Sequence, residues 1–223
     1  AFYCKFAKKT LPLHAKSIYS YNNMAKTEIS TLGEFGLIQH LTKDIKPIQP
    51  STQKGIGDDA AVMHYGDKRT LVTTDLLLEG IHFNLEYAPL KHLGYKAAVV
   101  NFSDIYAMNA TPTQLTVSLG ISKRFSVEDL EELYAGIRLA CERYNVDLVG
   151  GDTSASMTGL TISITCLGTA YDSDIVYRNG AKVNDLICVT GNLGTAYMGL
   201  QLLERERIVM QANDKATPAF EGR

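Results

Sequence analysis

Apolar residues recur along this chain at two periods, and the switch between them marks out its elements. Thr31-Leu32-Gly33-Glu34 has the spacing of a capping box, and Phe35, Ile38 and Leu41 follow at helical intervals, which predicts a short helix ending before Pro47. AAVMHY and TLVTTD flank Gly66-Asp67-Lys68-Arg69 and read as a β-hairpin whose second strand ends at Asp75. After Pro89, residues 90–110 carry so many apolar positions at helical spacing that the predicted helix must be buried on most sides. TQLTVSLGI follows as a strand. Ser126 then caps a helix whose stripe is Leu130, Leu133, Ile137, Cys141 and Tyr144.

VDLVGGD reads as a short strand ending in a turn, and LTISITCLGTA alternates as a half-buried strand does. DLICVTGNLG predicts a strand and a glycine turn, with a helix over 195–207. The order of elements predicts an α+β domain, in which a mixed or antiparallel sheet is covered by helices on one face. That domain is expected over 24–182, and 183–223 is expected to begin a second α/β domain. The opening residues 1–23 lack a clear period and precede Met24, so they are read as an extension, expected to be disordered and outside the fold.

With 223 residues, 45% of them hydrophobic, the chain can bury a sizeable core. Its net charge of −2 gives no broad electrostatic reason for a nucleic-acid or anionic-membrane partner, and no apolar run approaches the roughly 18 residues needed to span a bilayer. Neither partner is expected. The four cysteines form no CxxC pair, which argues against structural zinc. Cys141, Cys166 and Cys188 sit among apolar neighbours and are expected to be small buried hydrophobes in a reducing, cytoplasmic compartment.

The informative polar residues are acids at the ends of predicted elements or in apolar surroundings: Asp58 and Asp59 in GIGDDAAV, Asp75 after VTT, Asp104 within VVNFSDIYAM, and Asp152 in VGGDTS. Each could be a turn or cap residue. Asp104 is different, because an unpaired charge in the middle of an apolar helix costs several kcal/mol. Residues 97–122 contain no lysine or arginine to pair with it. A distant salt bridge or a divalent cation would satisfy it, and a donor set of carboxylates and threonine hydroxyls favours Mg²⁺, which keeps waters and bridges to phosphates. The glycine turns GIGDD and GGDTS allow close backbone approach to a ligand. No GxxxxGK[ST] loop, GxGxxG fingerprint or kinase HRD/DFG set is present, and no Ser-His-Asp or Cys-His spacing supports a nucleophile. His82, shortly after Asp75, is either structural or part of the same site.

Taken together, GEFGLI, GIGDDAAV, TTDLLLEGIHF, KAAVVNFSDIYAMNATP, LVGGDTS and GAKVNDLICVTGNLG resemble the thiamine-monophosphate kinases, in that family's order and over nearly all of 29–203. The wider superfamily includes aminoimidazole ribonucleotide synthetase and selenophosphate synthetase. The resemblance implies ATP-dependent phosphorylation of thiamine phosphate to thiamine diphosphate by direct in-line transfer, assisted by several Mg²⁺ ions and without a covalent intermediate. It also implies a homodimer joined through its sheets. Carried over residue by residue, it assigns Asp59, Thr73, Thr74, Asp75, Asp104 and Asp152 to metal, with Asp58 a neighbour, and His82 to thiamine phosphate. Tyr134, Gly151, Asp152 and Arg178 fall to the nucleotide; core packing is the alternative for Tyr134 and a surface salt bridge for Arg178. Family members continue into a second α/β domain with a Ser-Asp-Gly segment that this sequence lacks, which leaves the activity of the chain taken alone in question. A nucleotide-binding dimerisation module and another ATP-using member of the superfamily are the competing readings.

Overall fold

A computed structural model of the chain describes residues 32–44 and 48–213. Helix α1 (Gly33–Thr42) lies in a unit ending at Lys46, and all other elements lie in a second unit beginning at Pro47. Leu32, the N-cap of α1, makes no side-chain cap bond, and Thr31, the capping residue expected from the sequence, lies outside the described residues. The extension 1–23 also lies outside them.

The second unit is built on one six-stranded sheet. Its strands are β1 (Thr52–Lys54), β2 (Ala61–His64), β3 (Arg69–Leu78), β4 (Thr111–Ile121), β5 (Asp147–Ala155) and β6 (Thr161–Ala170), in the spatial order β1-β2-β3-β6-β4-β5. Every neighbouring pair is antiparallel except β4 and β5. That exception has a simple cause: α3 (Val127–Tyr144) intervenes between β4 and β5 and carries the chain back to the same end of the sheet.

The apolar alternation read from the sequence decides the sheet's two faces. On β6, Ile162, Ile164 and Cys166 are fully buried while the residues between them are half-exposed. Their partners Leu115, Val117 and Leu119 on β4 and Leu77 on β3 point the same way, as does Leu71, opposite Gly168. Helix α2 (Leu90–Ala107) lies against this face and presents Leu93, Ala97, Ala98, Phe102 and Ile105 to it. Packed on α2 is α3, through Leu133, Ile137 and Ala140. The antiparallel, helix-covered sheet expected from the sequence is thus present.

Ser126 caps α3 as its sequence predicts. Its hydroxyl accepts from the Asp129 N–H at 3.2 Å, while the Asp129 carboxylate accepts from the Ser126 N–H at 2.8 Å. Ser126→Ala is expected to lower stability by about 1 kcal/mol, as measured by denaturant unfolding, and an unchanged midpoint would show that the cap contributes nothing.

Several elements differ from the sequence reading. Strand β3 does not end at Asp75 but continues to Leu78, because β6 pairs with it as far as Leu78↔Thr161. GGDTS is not a turn: β5 runs through it, in register with β4, so that Gly151 lies opposite Val117. A Cβ on Gly151 would stand 1.7 Å from the Val117 carbonyl oxygen, and glycine is what allows the two strands to close. DLICVT forms no strand, and Leu186 and Ile187 are about nine-tenths exposed. An extended segment becomes a strand only when a neighbour takes its main-chain hydrogen bonds, and among the described residues none lies beside this one. After it, helix α4 (Thr195–Ala212) outlasts its predicted end at 207. Cys141 and Cys166 are buried as expected, but Cys188, in the same unpaired segment, is exposed. Burial pushes the Cys166 thiol up to about 12, so it is inert.

Candidate functional site

Thr73 and Asp75 share the face of the buried Leu71 and Leu77 on β3 and so face α2, where Asp104 lies in the last turn. The Thr73 hydroxyl donates to Asp104 Oδ2 at 2.8 Å. Burial raises the Asp104 carboxyl above the ordinary aspartate range; the nearby Asp59 charge raises it further, while the Thr73 hydrogen bond and Arg178 act in the opposite direction. Asp75 is raised too, first by burial and then by Asp104, with His82 opposing. Asp104 therefore stands close enough to Asp59 on one side and Asp75 on the other for their charges to interact through partly desolvated surroundings.

The guanidinium of Arg178 reaches this cluster. Arg178 pairs with Asp59, and its backbone N–H lies 3.3 Å from both oxygens of Asp58. The turn that joins the two acids is held by the Asp59 N–H, which donates to Asp58 Oδ1 at 3.1 Å. Arg178 stands 119 residues from its partner, and a set of tethers delivers it there. After β6, a 3₁₀ turn (Asp172–Asp174) is fixed by Arg69 Nε to Asp172 at 3.0 Å and by Gln53 to the same carboxylate at 2.7 Å. Asn109 donates to the Asp174 carbonyl at 2.9 Å, and the Val176 N–H donates to the Met108 carbonyl at 3.1 Å. The surface-salt-bridge alternative for Arg178 is thus correct in form, since its side chain is about half exposed, yet its partner is a site acid.

The remaining candidates lie elsewhere on the sheet. Thr74 points to the opposite face from Thr73, donating to the Ile164 carbonyl at 3.0 Å and accepting from the Thr165 hydroxyl at 3.2 Å. Asp152 is on β5; following the register from Asp152 through Ser118 and Ser163 to Leu76 spans three strand spacings, about 14 Å. It is therefore not gathered with Asp75 and Asp104. Instead, Gly151 and Asp152 line a cavity of about 540 Å³ with Tyr134 and Val117. Tyr134 also packs partly against the core, the alternative expected for it from the sequence. Among the described residues, no group of three acidic, histidine or cysteine side chains could hold a metal unaided.

His82 accepts from the Leu78 N–H through Nδ1 at 2.9 Å, which fixes its ring beside the end of β3. It opens onto a cavity of about 950 Å³, lined also by Tyr87, His92, Lys96, Tyr197 and Arg207, between the 80–96 segment and α4. Lys96 Nζ donates to the His82 carbonyl at 3.0 Å, and Tyr87 donates to Glu204 at 2.6 Å.

The model of the AIR synthase related protein, N-terminal domain, matches residues 57–170, which carry β3, α2 and the acids of the cluster. The chain belongs to this family. Within the AIR synthase related family it resembles thiamine-monophosphate kinases. It is 38% identical over 179 residues to that of Aquifex aeolicus, covering 80% of this chain and 55% of the relative, and 36% identical to that of Bacillus subtilis, covering 78% and 54%. The chain thus spans about half the length of the curated relatives it matches. Its fold superposes with a TM-score of 0.72 on the solved structure of AaThiL complexed with AMPPCP and TMP, at 34% identity, covering 87% of this chain and 58% of that one. The thiamine monophosphate kinase of Aquifex aeolicus solved separately gives 0.65 at 32% identity, covering 86% and 58%. No helix among the described residues is long and apolar enough to cross a membrane.

Residues that sequence reasoning missed are chiefly connectors. Arg69, Gln53 and Asp172 bring Arg178 to the acids, and nothing in their spacing marks them, since a surface ion pair has no local signature. Asn101 did leave a signal: a lone amide within AAVVNF, on a helix otherwise read as apolar.

Proposed function

We propose that the protein to which this chain belongs phosphorylates thiamine phosphate to thiamine diphosphate with ATP as co-substrate, by direct in-line transfer. The observation that carries this reading is the convergence of Thr73, Asp75, Asp104 and Asp59 with Arg178, in a family member similar to thiamine-monophosphate kinases. That AaThiL was solved with AMPPCP and TMP supports the two substrates.

The residues present fit Mg²⁺. Their donors are all oxygen, and both Asp104 and Asp75 are held above the ordinary aspartate range, Asp104 by burial and Asp59, and Asp75 by burial and Asp104, as expected of acids short of positive charge. Three protein ligands are not required, because Mg²⁺ keeps several waters and takes substrate phosphates as ligands. Thr73, Asp59, Asp75 and Asp104 would hold it; Thr74 and Asp152 would join only through a nucleotide that bridges the sheet. When bound, the ion neutralises charge on the transferring phosphoryl group. Arg178 orients the polyphosphate, Tyr134 and Gly151 receive the nucleotide in their cavity, and His82 positions thiamine phosphate in the larger one.

The sheet face opposite α2 supports a homodimer: among the described residues α2 is the helix packed on β3, β4 and β6, and the other face exposes Leu76 beside a row of threonines on these strands. A cytoplasmic location and a second α/β domain beginning near residue 183 complete the reading. One alternative is a module that binds nucleotide without turning it over, a reading supported by a cavity at Tyr134, Gly151 and Asp152 that stands apart from the acid cluster.

Both readings meet in one experiment, in which ADP release from Mg²⁺·ATP with thiamine phosphate as acceptor is measured beside calorimetric binding of a non-hydrolysable ATP analogue. Turnover with thiamine phosphate and with no other phosphate acceptor is expected. Binding without turnover would favour the module, and absence of both would remove the proposal.

A further inference from the structure

Strand β3 outruns its neighbour β2. Pairing between them stops at Ala61↔Val72, whereas β6 stays paired with β3 to Leu78. From Thr73 onward, one edge of β3 therefore has no strand beside it among the described residues, and any N–H aimed that way needs another acceptor, or costs about 1–3 kcal/mol if buried unmet. The Asp75 N–H meets Asn101 Oδ1 at 3.1 Å. Asn101 is wholly buried, and its Nδ2 donates to the Ala97 carbonyl at 3.0 Å, one turn back along α2. One turn forward is Asp104, which accepts from Thr73. Two side chains three apart on the helix thus grip two residues two apart on the strand, and all four surround the same patch.

We infer that Asn101 is a positioning residue: by fixing the main chain at Asp75, it sets where the Asp75 carboxylate stands relative to Asp104. This inference rests on the divalent-cation reading above and adds to it the residue that holds two of its ligands in register. The site calls for asparagine on physical grounds. Its amide supplies an acceptor to the strand and a donor to the helix without charge, whereas aspartate would add another anion to a cluster already short of cations, and leucine would orphan the Asp75 N–H. The competing possibility is that Asn101 merely fastens α2 to the sheet, and metal affinity separates the two.

Mn²⁺ is titrated into the unsubstituted chain and into Asn101→Ala by electron paramagnetic resonance, with amide hydrogen exchange at Asp75 and thermal unfolding followed in parallel. The expected result is a loss of Mn²⁺ affinity of about tenfold or more, together with faster exchange at Asp75 in a chain that remains folded. Asn101→Ser is the milder companion, since a serine hydroxyl bonds back to the Ala97 carbonyl and does not reach the strand. It should lose Mn²⁺ affinity similarly. Unaltered Mn²⁺ affinity in either folded variant would overturn the inference, and so would failure of both to fold, which would leave Asn101 a fastening only. Absence of Mn²⁺ binding by the unsubstituted chain would instead overturn the cation reading itself, and this inference with it.

Discussion

Gly136→Ala is expected to destabilise the chain by about 3 kcal/mol, even though alanine is the better helix former by about 1 kcal/mol. Gly136 sits inside α3 where that helix crosses α2, and a Cβ there would stand 1.8 Å from the Lys91 carbonyl oxygen. The contact is reciprocal, since a Cβ on Gly94 of α2 would meet the Leu133 carbonyl oxygen at 2.0 Å. Both obstacles are main-chain atoms, which cannot rotate aside as a flexible side chain does. The helices would have to separate by more than 1 Å, loosening Leu133, Ile137 and Phe102 at the centre of the core.

The intrinsic helix gain is smaller than that repacking cost, so the sign is negative. For a chain of this size the expected fall in thermal midpoint is roughly 6–12 °C. Gly199→Ala in α4 is the control: nothing lies within 4 Å of its would-be Cβ, so the same change there should be neutral or stabilising. A Gly136→Ala midpoint equal to or above that of the unsubstituted chain would show that the two helices are not in close contact.

Asp104→Asn should move function and stability in opposite directions. Removing this carboxylate is expected to weaken Mg²⁺-dependent binding of an ATP analogue about 100-fold, or about 2.7 kcal/mol. That loss lies below the ~4 kcal/mol attraction between unit charges 4 Å apart at an effective dielectric of 20. Without metal, the same change should raise stability at neutral pH. Burial and Asp59 hold the Asp104 carboxyl above its ordinary value, so the folded chain binds that proton more tightly than the unfolded chain does. Its favourable contribution is therefore fully present below the unfolded value of about 3.9 and is lost as pH rises through the raised folded value. Asparagine does not titrate, and can still accept from Thr73. The metal-free midpoint of Asp104→Asn should then fall less between acid and neutral pH, while Mg²⁺ and the analogue should raise it less than they raise that of the unsubstituted chain. Thermal unfolding at several pH values, with and without Mg²⁺ and the analogue, reads both effects. Equal metal-linked shifts in the two chains would remove Asp104 from the ligand set.

Much of this arrangement was legible from local spacing. The alternation in LTISITCLGTA set the buried face of β6, the Ser126 box began α3, and the unpaired Asp104 in an apolar helix marked the site before any contact was known. Boundaries were less legible wherever a neighbouring strand decided them. β3 continues past Asp75 because β6 is there to pair with it, whereas DLICVT, with comparable strand character, forms no strand where the described residues offer it no partner.

What the sequence determined by itself is most of the helices and strands and the identity of the acids, because periodicity, capping and the cost of burying charge act within a few residues. Only the tertiary structure decided how those acids and the threonines beside them divide: Thr73, Asp75, Asp104 and Asp59 gather with Arg178, Thr74 turns to the other face, and Asp152 stands three strands away. Strand order and register arise from pairings between segments as much as 100 residues apart, and no spacing along the chain encodes which edge a strand will occupy. The same holds for Asn101, whose role became visible only once β3 was seen to outrun β2 and leave a main-chain N–H in need of an acceptor.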